Sequence, residues 1–374
     1  MRFFEIIRSL DWLLMGAALL LVLIGLAMLF SASYTQQGLL SSRFARQVAA
    51  VVVSLTAALL VARIPYHVVR RYAVPIYITG MAGLGAVALL AQVIRGTASR
   101  LTIAGFQLQP SEFVKVSLII ALAWLCSRQG NVRLPTFIQT GVAVALPVIL
   151  ILLEPDLGVA LLLLGLWGGV LVFMGLSWKV ISLLLVIAAG AFGVGWRWLF
   201  ADYQKDRIAV FLDPTSDPLG AGYNIVQSIV ALGSGRLLGR GLGHGPQSQL
   251  KFLPEQHTDF ILASIGEELG FIGVAVVVIL YAIVLWRILL IGRSTQDLFG
   301  QLLAIGTFWV LLLSLIVAAG MNMGLLPVTG IPLPLVSYGG SNLLSTFVLL
   351  GLVQSVRVYS KWVQAPPGEM SHFI

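Results

Sequence analysis

The sequence predicts an all-helical protein that crosses a membrane about ten times and carries one large loop outside it. Hydrophobic residues make up 59% of the 374-residue chain and charged residues only 10%, whereas soluble domains carry about 25% charged residues. The apolar residues also fall into long runs of roughly 20, the length that an α-helix needs to cross a bilayer. Composition and run length together exclude a soluble globular enzyme.

Ten apolar runs are candidates for membrane-spanning helices. They are residues 11–32, 46–63, 72–94, 112–127, 136–153, 157–175, 178–200, 259–286, 299–322 and 340–360. The first run follows basic residues, as in a signal peptide, but it is longer and lacks a small-residue cleavage site, so we interpret it as an uncleaved anchor. We expect residues 1–374 to form a single transmembrane domain in which residues 201–258 are the large extracytoplasmic loop.

The distribution of Lys and Arg predicts which ends of the spans face the cytoplasm. With the N-terminus inside, the short inner segments hold Arg2, Arg8, Arg63, Arg70, Arg71, Arg128, Arg133, Lys179, Arg287, Arg293, Arg357 and Lys361. The short outer segments hold Arg43, Arg46, Arg95 and Arg100. This bias places both termini in the cytoplasm and explains much of the net charge of +8. It does not indicate nucleic-acid binding, because no basic soluble domain with exposed aromatic residues is present.

Four stretches interrupt the apolar pattern, and all of them lie on the predicted outer face. They are residues 95–115, 154–156, 201–259 and 320–341. Long loops without regular structure tend to be functional, and non-helical backbone at membrane depth must be buried in protein or line a water-filled cavity. The four stretches therefore predict one shared site. Within the loop, the spacing of apolar residues over 224–232 predicts a short helix in the membrane interface.

Asp259 is the candidate catalytic residue, because it ends the long polar loop where the next span begins. An acid at a membrane boundary is a functional candidate, and a carboxylate there can act on a substrate with a polar head and a lipid tail. We therefore interpret Asp259 as a general base. The alternative is an acid at the start of a helix, stabilised by the helix dipole by about 0.3–1 kcal/mol.

Glu267 and Glu268 lie about two turns further along the same span, where an acid costs about 2.5–3.5 kcal/mol to insert. At 100° per residue, Glu267 lies within about 80° of Asp259 around the helix. These acids indicate a polar cavity beneath Asp259. The alternative is a buried ion pair with a cation from another span.

Glu112 and Lys115 are three residues apart and share one helical face. Lys115 is a candidate contact to a substrate phosphate, with Glu112 orienting it; the alternative is a self-contained pair that lowers the cost of burial. Further cationic candidates on the predicted outer side are Arg100, Arg207, Arg236, Arg240 and Lys251. Arginine suits a diphosphate because its planar guanidinium binds two oxygens at once, although ordinary solvation in a loop explains any one of them alone.

Two other patterns indicate no site. The glycines between residues 239 and 245 do not have the spacing of nucleotide-binding loops, and no strand precedes a helix there, so tight turns are predicted. His244 and His257 lack acidic neighbours at the spacing of zinc ligands. Cys126 is the only cysteine, so the sequence predicts neither a disulfide nor a thiol pair for a metal.

Five motifs resemble the SEDS family of membrane proteins, and together they cover nearly the whole chain in order. They are Gln109-Pro-Ser-Glu112, Glu154-Pro-Asp-Leu-Gly158, Asp213-Pro through Asp217-Pro-Leu-Gly-Ala-Gly-Tyr223, Leu253-Pro-Glu-Gln-His-Thr-Asp-Phe260 and Pro332-Leu-Pro-Leu-Val-Ser-Tyr-Gly-Gly-Ser341. The likeness is closer to the members that act in cell elongation than to those that act in division.

The resemblance implies a peptidoglycan glycosyltransferase of the bacterial inner membrane that polymerises lipid II during cell-wall biogenesis and so sets cell shape. It implies that Asp259 matches the family's essential acid. It also implies a class B penicillin-binding protein transpeptidase and other elongation-complex membrane proteins as partners. The substrate-binding residues that we expect are Arg100, Glu112, Lys115, Asp156, Arg207, Ser337, Tyr338, Gly339 and Ser341. A divalent cation, Mg²⁺ or Mn²⁺, would also stabilise a departing diphosphate, but no ligand cluster for one is evident, and the metal stays open.

Two functions of other classes use the same features. A flippase for a lipid-linked precursor would bind the same substrate in the same cavity and transport it without making polymer. A scaffold that activates a partner penicillin-binding protein would tolerate substitutions in the site but not on its partner-facing spans. The large outer loop that ends at a carboxylate favours the enzyme.

Overall fold

The structure, a computed structural model, describes residues 3–37, 42–90, 101–103, 106–199, 202–214, 217, 220–250, 252–253 and 255–363. Its helices are α1 (Phe3–Ser9), α2 (Trp12–Gln37), α3 (Ser42–Arg63), α4 (Tyr66–Arg71), α5 (Ala73–Leu90), α6 (Pro110–Gln129), α7 (Leu134–Leu153), α8 (Leu157–Phe173), α9 (Trp178–Val194), α10 (Asp202–Leu212), α11 (Ala221–Ser234), α12 (Pro246–Gln249), α13 (Ile261–Ser294), α14 (Leu298–Asn322) and α15 (Gly340–Val363). A π-helical segment, Gly195–Leu199, follows α9, and the strands β1 (Leu101–Ile103) and β2 (Phe106–Leu108) form an antiparallel hairpin before α6.

Ten of these helices correspond to the predicted spans. Within the described residues, eight helices are long and apolar enough to cross a membrane, and two shorter apolar helices, Ala73–Val87 and Leu157–Phe173, complete the set. The prediction of an all-helical protein with about ten spans is therefore confirmed. The predicted span over 72–94 extends beyond Leu90 into residues outside the described part of the chain.

Helices α6 and α15 form the interior of the bundle. In each of them 78% of the most apolar stretch is buried in protein. Only 6% is buried in the corresponding stretch that contains α9. Helix α15 packs on α3, and α6 packs on α5 and α14. Since α6 carries Glu112 and Lys115, both charges lie inside protein rather than against lipid.

A break in α13 at Gly270 makes room for the glycine-rich segment that precedes α12, which packs against the broken helix. Gly270 has φ 68° and ψ −166°, and a Cβ atom there would lie 2.2 Å from the backbone nitrogen of Gly239. The backbone N–H groups of Phe271 and Ile272 donate instead to the carbonyls of Arg236 and Leu237, at 2.9 and 3.2 Å. Backbone groups freed by a break inside a membrane span need such partners within the protein. The prediction of tight turns here is consistent with positive φ angles at Gly239, Gly241 and Gly243.

Asp11 ties three helices together at the end of the bundle opposite Asp259. Its carboxylate pairs with Arg287 of α13 and, at 3.3 Å, with Arg357 of α15. The backbone N–H of Asp11 also donates to Oε1 of Gln354 at 2.8 Å. Because Asp259 and Gly340 begin the same two spans at the other end, this cluster fixes the relative axial position of α13 and α15.

Three features differ from the sequence prediction. Helix α13 continues to Ser294, eight residues beyond the predicted end at 286, because its apolar pattern extends past Arg287, whose charge is neutralised by Asp11. Helix α10 and the β1–β2 hairpin lie in stretches that were expected to be irregular. A helix covers the predicted 224–232 and is longer, as α11, while its location in the membrane interface stays a prediction.

Candidate active site

Asp259 lies at the end of a tight turn, one residue before the N-cap of α13. The backbone N–H groups of Thr258, Asp259 and Phe260 all donate to the carbonyl of Glu255, at 3.1, 3.2 and 3.3 Å. This turn ends the large loop, and Phe260, which is 2% exposed, anchors it in a small apolar cluster. The side chain of Asp259 is half-buried, so its carboxylate sits between the packed bundle and the surface.

Asn322 holds the backbone of Asp259 from the neighbouring helix. Its Nδ2 donates to the carbonyl of Asp259 at 2.8 Å, and its Oδ1 accepts from the N–H of Ala263 at 2.9 Å. The backbone carbonyl of Asn322 accepts a hydrogen bond from Ser228 of α11 at 2.7 Å. Asn322 is fully buried, so one residue, through its side-chain amide and its backbone carbonyl, joins α14, the start of α13 and α11.

The segment 332–341 packs directly on the turn that carries Asp259. Ser337 Oγ donates to the carbonyl of Thr258 at 2.6 Å, and the N–H of Tyr338 donates to the carbonyl of His257 at 2.8 Å. The hydroxyl of buried Tyr281 on α13 donates to the carbonyl of Pro334. The predicted site residues Ser337 and Tyr338 thus contact the main chain of the two residues that precede Asp259.

Gly330 lies beside the Asp259 side chain. A Cβ atom on Gly330 would lie 3.7 Å from Oδ2 of Asp259, and the residue has φ 74°. Gly158, at the start of α8, approaches the same segment, since its Cβ would lie 2.8 Å from the carbonyl of Thr329. The glycines therefore bring the 154–158 motif to the segment that touches Asp259.

Glu112 and Lys115 form a buried ion pair of 2.6 Å between Oε2 and Nζ. The same carboxylate accepts hydrogen bonds from Asn342 at 3.2 Å and Ser345 at 3.1 Å, both on α15. At the start of α6, the N–H of Gln109 donates to Oγ of Ser341 at 3.1 Å. Burial of the pair agrees with both interpretations of Lys115, and the contacts to α15 connect it to the Ser-Tyr-Gly-Gly-Ser motif.

Asp156 adds a third charged group to this region. Its side chain caps α8 by accepting from the N–H of Val159 at 3.1 Å. Burial raises the pKa of Asp156, the hydrogen bond from Val159 lowers it, Glu112 raises it, and Lys115 and Arg207 lower it, with a net rise. Asp156 therefore lies within electrostatic range of three predicted substrate-binding residues.

Two further titratable groups border the site. Burial, together with the charge of Asp156, raises the pKa of Glu154 to about 7, and the buried Oε1 of Glu154 has no hydrogen-bond partner among the described residues. Burial and the positive charge of Arg43 lower the pKa of His257 to about 4, against a smaller opposing effect of Glu255. His257 is thus neutral at physiological pH.

The structure brings most of the predicted site residues together. Gly339 donates through its N–H to Oε1 of Gln47 at 3.3 Å, which adds α3 to the wall of the site. Arg207 is exposed on α10. Arg100 lies outside the described residues, as does Lys251, so neither is placed. None of these positions establishes a catalytic or binding role, and the assignments stay predictions.

Glu267 and Glu268 form no ion pair with any residue in the described part of the chain, although such a pair was one alternative for them. Glu267 accepts from the N–H groups of Gln247 and Ser248, at 2.8 and 2.9 Å, and from the Ser248 hydroxyl. Glu268 accepts from Ser31 Oγ at 2.7 Å and Gln249 Nε2 at 3.0 Å. Both carboxylates are buried and hold the end of the large loop against α13.

Several residues of the site had not been singled out from the sequence as polar contacts. They are Gln47, Asn342 and Ser345. A polar residue on an otherwise apolar face of α15 was the available signal for the last two. No group of three or more His, Cys, Asp or Glu suited to a metal is found among the residues that the structure describes. The described side chains thus do not form a metal site by themselves.

The chain matches a known family over nearly its whole length. The family model described as "Cell cycle protein", which comprises FtsW, RodA and SpoVE, matches residues 11–362. The peptidoglycan glycosyltransferase MrdB of Escherichia coli (strain K12) is 40% identical over 321 residues, covering 84% of this chain and 86% of MrdB. The peptidoglycan glycosyltransferase RodA of Treponema pallidum (strain Nichols) is 31% identical over 424 residues, covering 94% and 98% of the two chains.

Solved structures share the fold. A chain from a peptidoglycan synthase complex that coordinates polymerization and crosslinking superposes with a TM-score of 0.80 at 29% identity, over 93% of this chain and 97% of that one. The crystal structure of the rod shape-determining protein RodA from Thermus thermophilus gives a TM-score of 0.71 at 26% identity, over 94% and 97%. The predicted fold and family are confirmed. The chain belongs to the SEDS family of peptidoglycan glycosyltransferases, the family of FtsW, RodA and SpoVE.

Proposed function

We propose that this protein polymerises lipid II into glycan strands during cell elongation, with Asp259 as the general base. The observation that carries the proposal is the packing of the segment 320–341 on the turn that carries Asp259, with Gly158 and Gln109 in contact with that same segment. Asp259 is half-buried beside Gly330, its backbone is fixed by Asn322, and Ser337 and Tyr338 pack on the turn before it. A carboxylate held in this way is accessible and has a defined position, as a proton acceptor requires.

In the proposed reaction the 4-hydroxyl of the acceptor sugar attacks the anomeric carbon of the donor. The new C–O bond forms as the bond from that carbon to the polyprenyl diphosphate breaks, with inversion at the anomeric carbon. Asp259 accepts the hydroxyl proton, and the bonding electrons leave with the diphosphate. General-base assistance of this kind is typically worth about 10²–10⁴-fold in rate.

The leaving diphosphate needs positive charge near it. Lys115 is buried and paired with Glu112 at 2.6 Å, Arg207 is exposed on α10, and both lie within electrostatic range of Asp156. An arginine can bind two diphosphate oxygens at once, and a lysine acts as a point charge. We propose that these two cations bind the diphosphate. The described residues do not form a metal cluster, so no step is assigned to a divalent cation.

The proposal also covers orientation and partners. We propose that the termini are cytoplasmic and that Asp259 is at the outer face of the bacterial inner membrane; the excess of Lys and Arg on one side supports this orientation. A class B penicillin-binding protein would crosslink the product there; support comes from the likeness to a chain of a peptidoglycan synthase complex that coordinates polymerization and crosslinking. Other elongation-complex membrane proteins are further proposed partners.

Polymerisation of lipid II in detergent tests the proposal against its alternatives. The protein is purified with its class B partner, whose transpeptidase is blocked, and the products are separated by gel electrophoresis. Long glycan strands that depend on this protein support the enzyme. If no polymer forms but the protein translocates lipid II in proteoliposomes, the flippase function is supported and the enzyme is contradicted. If the protein gives neither polymer nor translocation but increases the activity of its partner penicillin-binding protein, the scaffold function is supported instead.

A further inference from the structure

A groove opens between three spans at the end of the bundle opposite Asp259. It has a volume of about 430 Å³ and lies between the C-terminal ends of α8 and α13 and the N-terminal part of α14. Its lining is mainly apolar and aromatic, with Phe173, Ile305, Phe308 and Trp309. The volume falls within the range of about 300–1,000 Å³ that is usual for small-molecule sites. None of its lining residues belongs to the proposed active site.

Two polar side chains, Arg293 and Gln301, lie in the wall of this groove. Arg293 is in the last turn of α13, it is exposed, and within the described residues it makes no hydrogen bond or ion pair. Gln301 Nε2 donates to the carbonyl of Thr295 at 2.6 Å. The nearest acid on the following turn, Asp297, is instead bound to Arg70 at 3.6 Å and caps α14. The groove therefore carries a net positive charge beside an apolar lining.

The depth of this charge matches a lipid headgroup. Arg293 and Ser294 end a membrane-spanning helix, and Trp178, which follows the end of α8 by a short turn, is 80% exposed. Tryptophan is enriched at the membrane–water interface, and long basic side chains near helix ends extend toward that interface. We therefore expect the guanidinium at headgroup level and the apolar part of the groove on the side of the bilayer interior.

We propose that this groove binds one anionic phospholipid, with its phosphate on Arg293 and an acyl chain along Phe173, Phe308 and Trp309. Basic pockets between transmembrane helices are a known way of binding anionic lipid headgroups. A guanidinium binds phosphate through paired hydrogen bonds. An apolar span of a partner protein would fill the aromatic lining but would leave Arg293 unpaired, and for this reason the lipid is the favoured occupant.

Native mass spectrometry of the purified, delipidated protein tests the proposal. Phosphatidylglycerol and phosphatidylcholine with identical acyl chains are titrated separately into wild type, Arg293→Gln, Val172→Trp and the control Arg133→Gln. Arg133 is also an exposed residue of the predicted inner side, but it lies before α7 and does not line the groove. Val172, which lines the groove and is 43% exposed, can carry a larger side chain without disturbing the core.

We expect wild type to bind one phosphatidylglycerol molecule per protein more tightly than it binds phosphatidylcholine. Arg293→Gln should weaken its binding about fivefold or more, which corresponds to ~1 kcal/mol for one basic residue at the membrane surface. Val172→Trp should weaken both lipids, and Arg133→Gln neither. Equal binding of the two lipids by wild type, or equal effects of Arg293→Gln and Arg133→Gln, would overturn the proposal. Loss of the class B partner from Arg293→Gln with unchanged lipid binding would assign the groove to that partner instead.

Discussion

The side-chain amide of Asn322 donates a hydrogen bond to the backbone carbonyl of Asp259, 2.8 Å away. The oxygen of that side-chain amide accepts a hydrogen bond from the N–H of Ala263 in the first turn of α13. One buried side chain therefore fixes both the residue proposed as the base and the helix that follows it. The position of the carboxylate depends on the end of α14 as much as on the loop that precedes it.

Substitution of Asn322 by Ala should impair both stability and catalysis. The change leaves the buried N–H of Ala263 unpaired and frees the Asp259 carbonyl, and each unsatisfied buried group costs about 1–3 kcal/mol. A shift of the carboxylate by about 1 Å can cost on the order of 10²-fold in rate. The measurement is the Tm in detergent together with the rate of lipid II polymerisation. Asn131→Ala, at an exposed position between α6 and α7, is the control; equal rates for the two variants would refute the positioning role of Asn322.

The buried pair Glu112–Lys115 can be separated into a folding role and a substrate role. Lys115→Met alone should destabilise the protein strongly, because removing one partner of a buried pair costs about 3–5 kcal/mol. The double variant Glu112→Gln/Lys115→Met removes both charges, and replacing both partners is often close to neutral for stability. We expect the double variant to recover Tm but not polymerisation. Recovery of both would show that Lys115 serves the fold alone.

Gly330 should be intolerant of a side chain because of its place beside Asp259. Gly330→Ala puts a methyl group 3.7 Å from the Asp259 carboxylate at φ 74°, a conformation that costs a non-glycine residue about 1–2 kcal/mol. Gly175→Ala is a matched control, since Gly175 has φ 86° and nothing within 4 Å of the added atom. Both variants should lose a similar amount of stability, but only Gly330→Ala should lose polymerisation. If Gly330→Ala and Gly175→Ala polymerise lipid II at comparable rates, Gly330 has no role in the active site.

Glu154 should make the stability of the protein depend on pH. Its pKa is raised from 4.5 to about 7 by burial and by Asp156, so the folded protein holds this proton more tightly than the unfolded chain does. The stabilising contribution is full below about pH 4.5 and is lost as pH rises through about 7. Glu154→Gln, which stays neutral, should therefore show a smaller fall in Tm from pH 5 to pH 8 than wild type. Asp206→Asn, at an exposed position, is the control and should keep the wild-type pH dependence of Tm. If Glu154→Gln also keeps it, the raised pKa of Glu154 is contradicted.

The helices and the position of Asp259 followed from local patterns in the sequence. Runs of apolar residues set the spans, because a bilayer imposes a minimum length on every helix that crosses it. The start of α13 next to Asp259 followed from the change between polar loop and apolar run. Features determined by composition over about 20 neighbouring residues were thus accessible without a structure.

The roles of Glu267 and Asn322 could not be predicted in this way. At 100° per residue, the sequence predicted that Glu267 lies within about 80° of Asp259 around the helix, and this periodicity suggested a cavity. Its partners are the backbone N–H of Gln247 and Ser248, and main-chain groups leave no trace in residue type. Asn322 is 59 residues from Ala263 and 94 from Ser228. Contacts across such separations depend on how the helices pack, which periodicity within one helix does not specify.

The central claim, that Asp259 is the general base, is tested most directly by the activity of Asp259→Asn. The variant keeps the shape of the side chain and removes its ability to accept the proton. It is compared with wild type and with Glu5→Gln, an exposed acid at the opposite end of the bundle, after equal expression, Tm and assembly with the class B partner have been established. We predict that wild type and Glu5→Gln polymerise lipid II while Asp259→Asn falls by about 10²-fold or more. Polymerisation by Asp259→Asn at the wild-type rate would contradict the proposed mechanism.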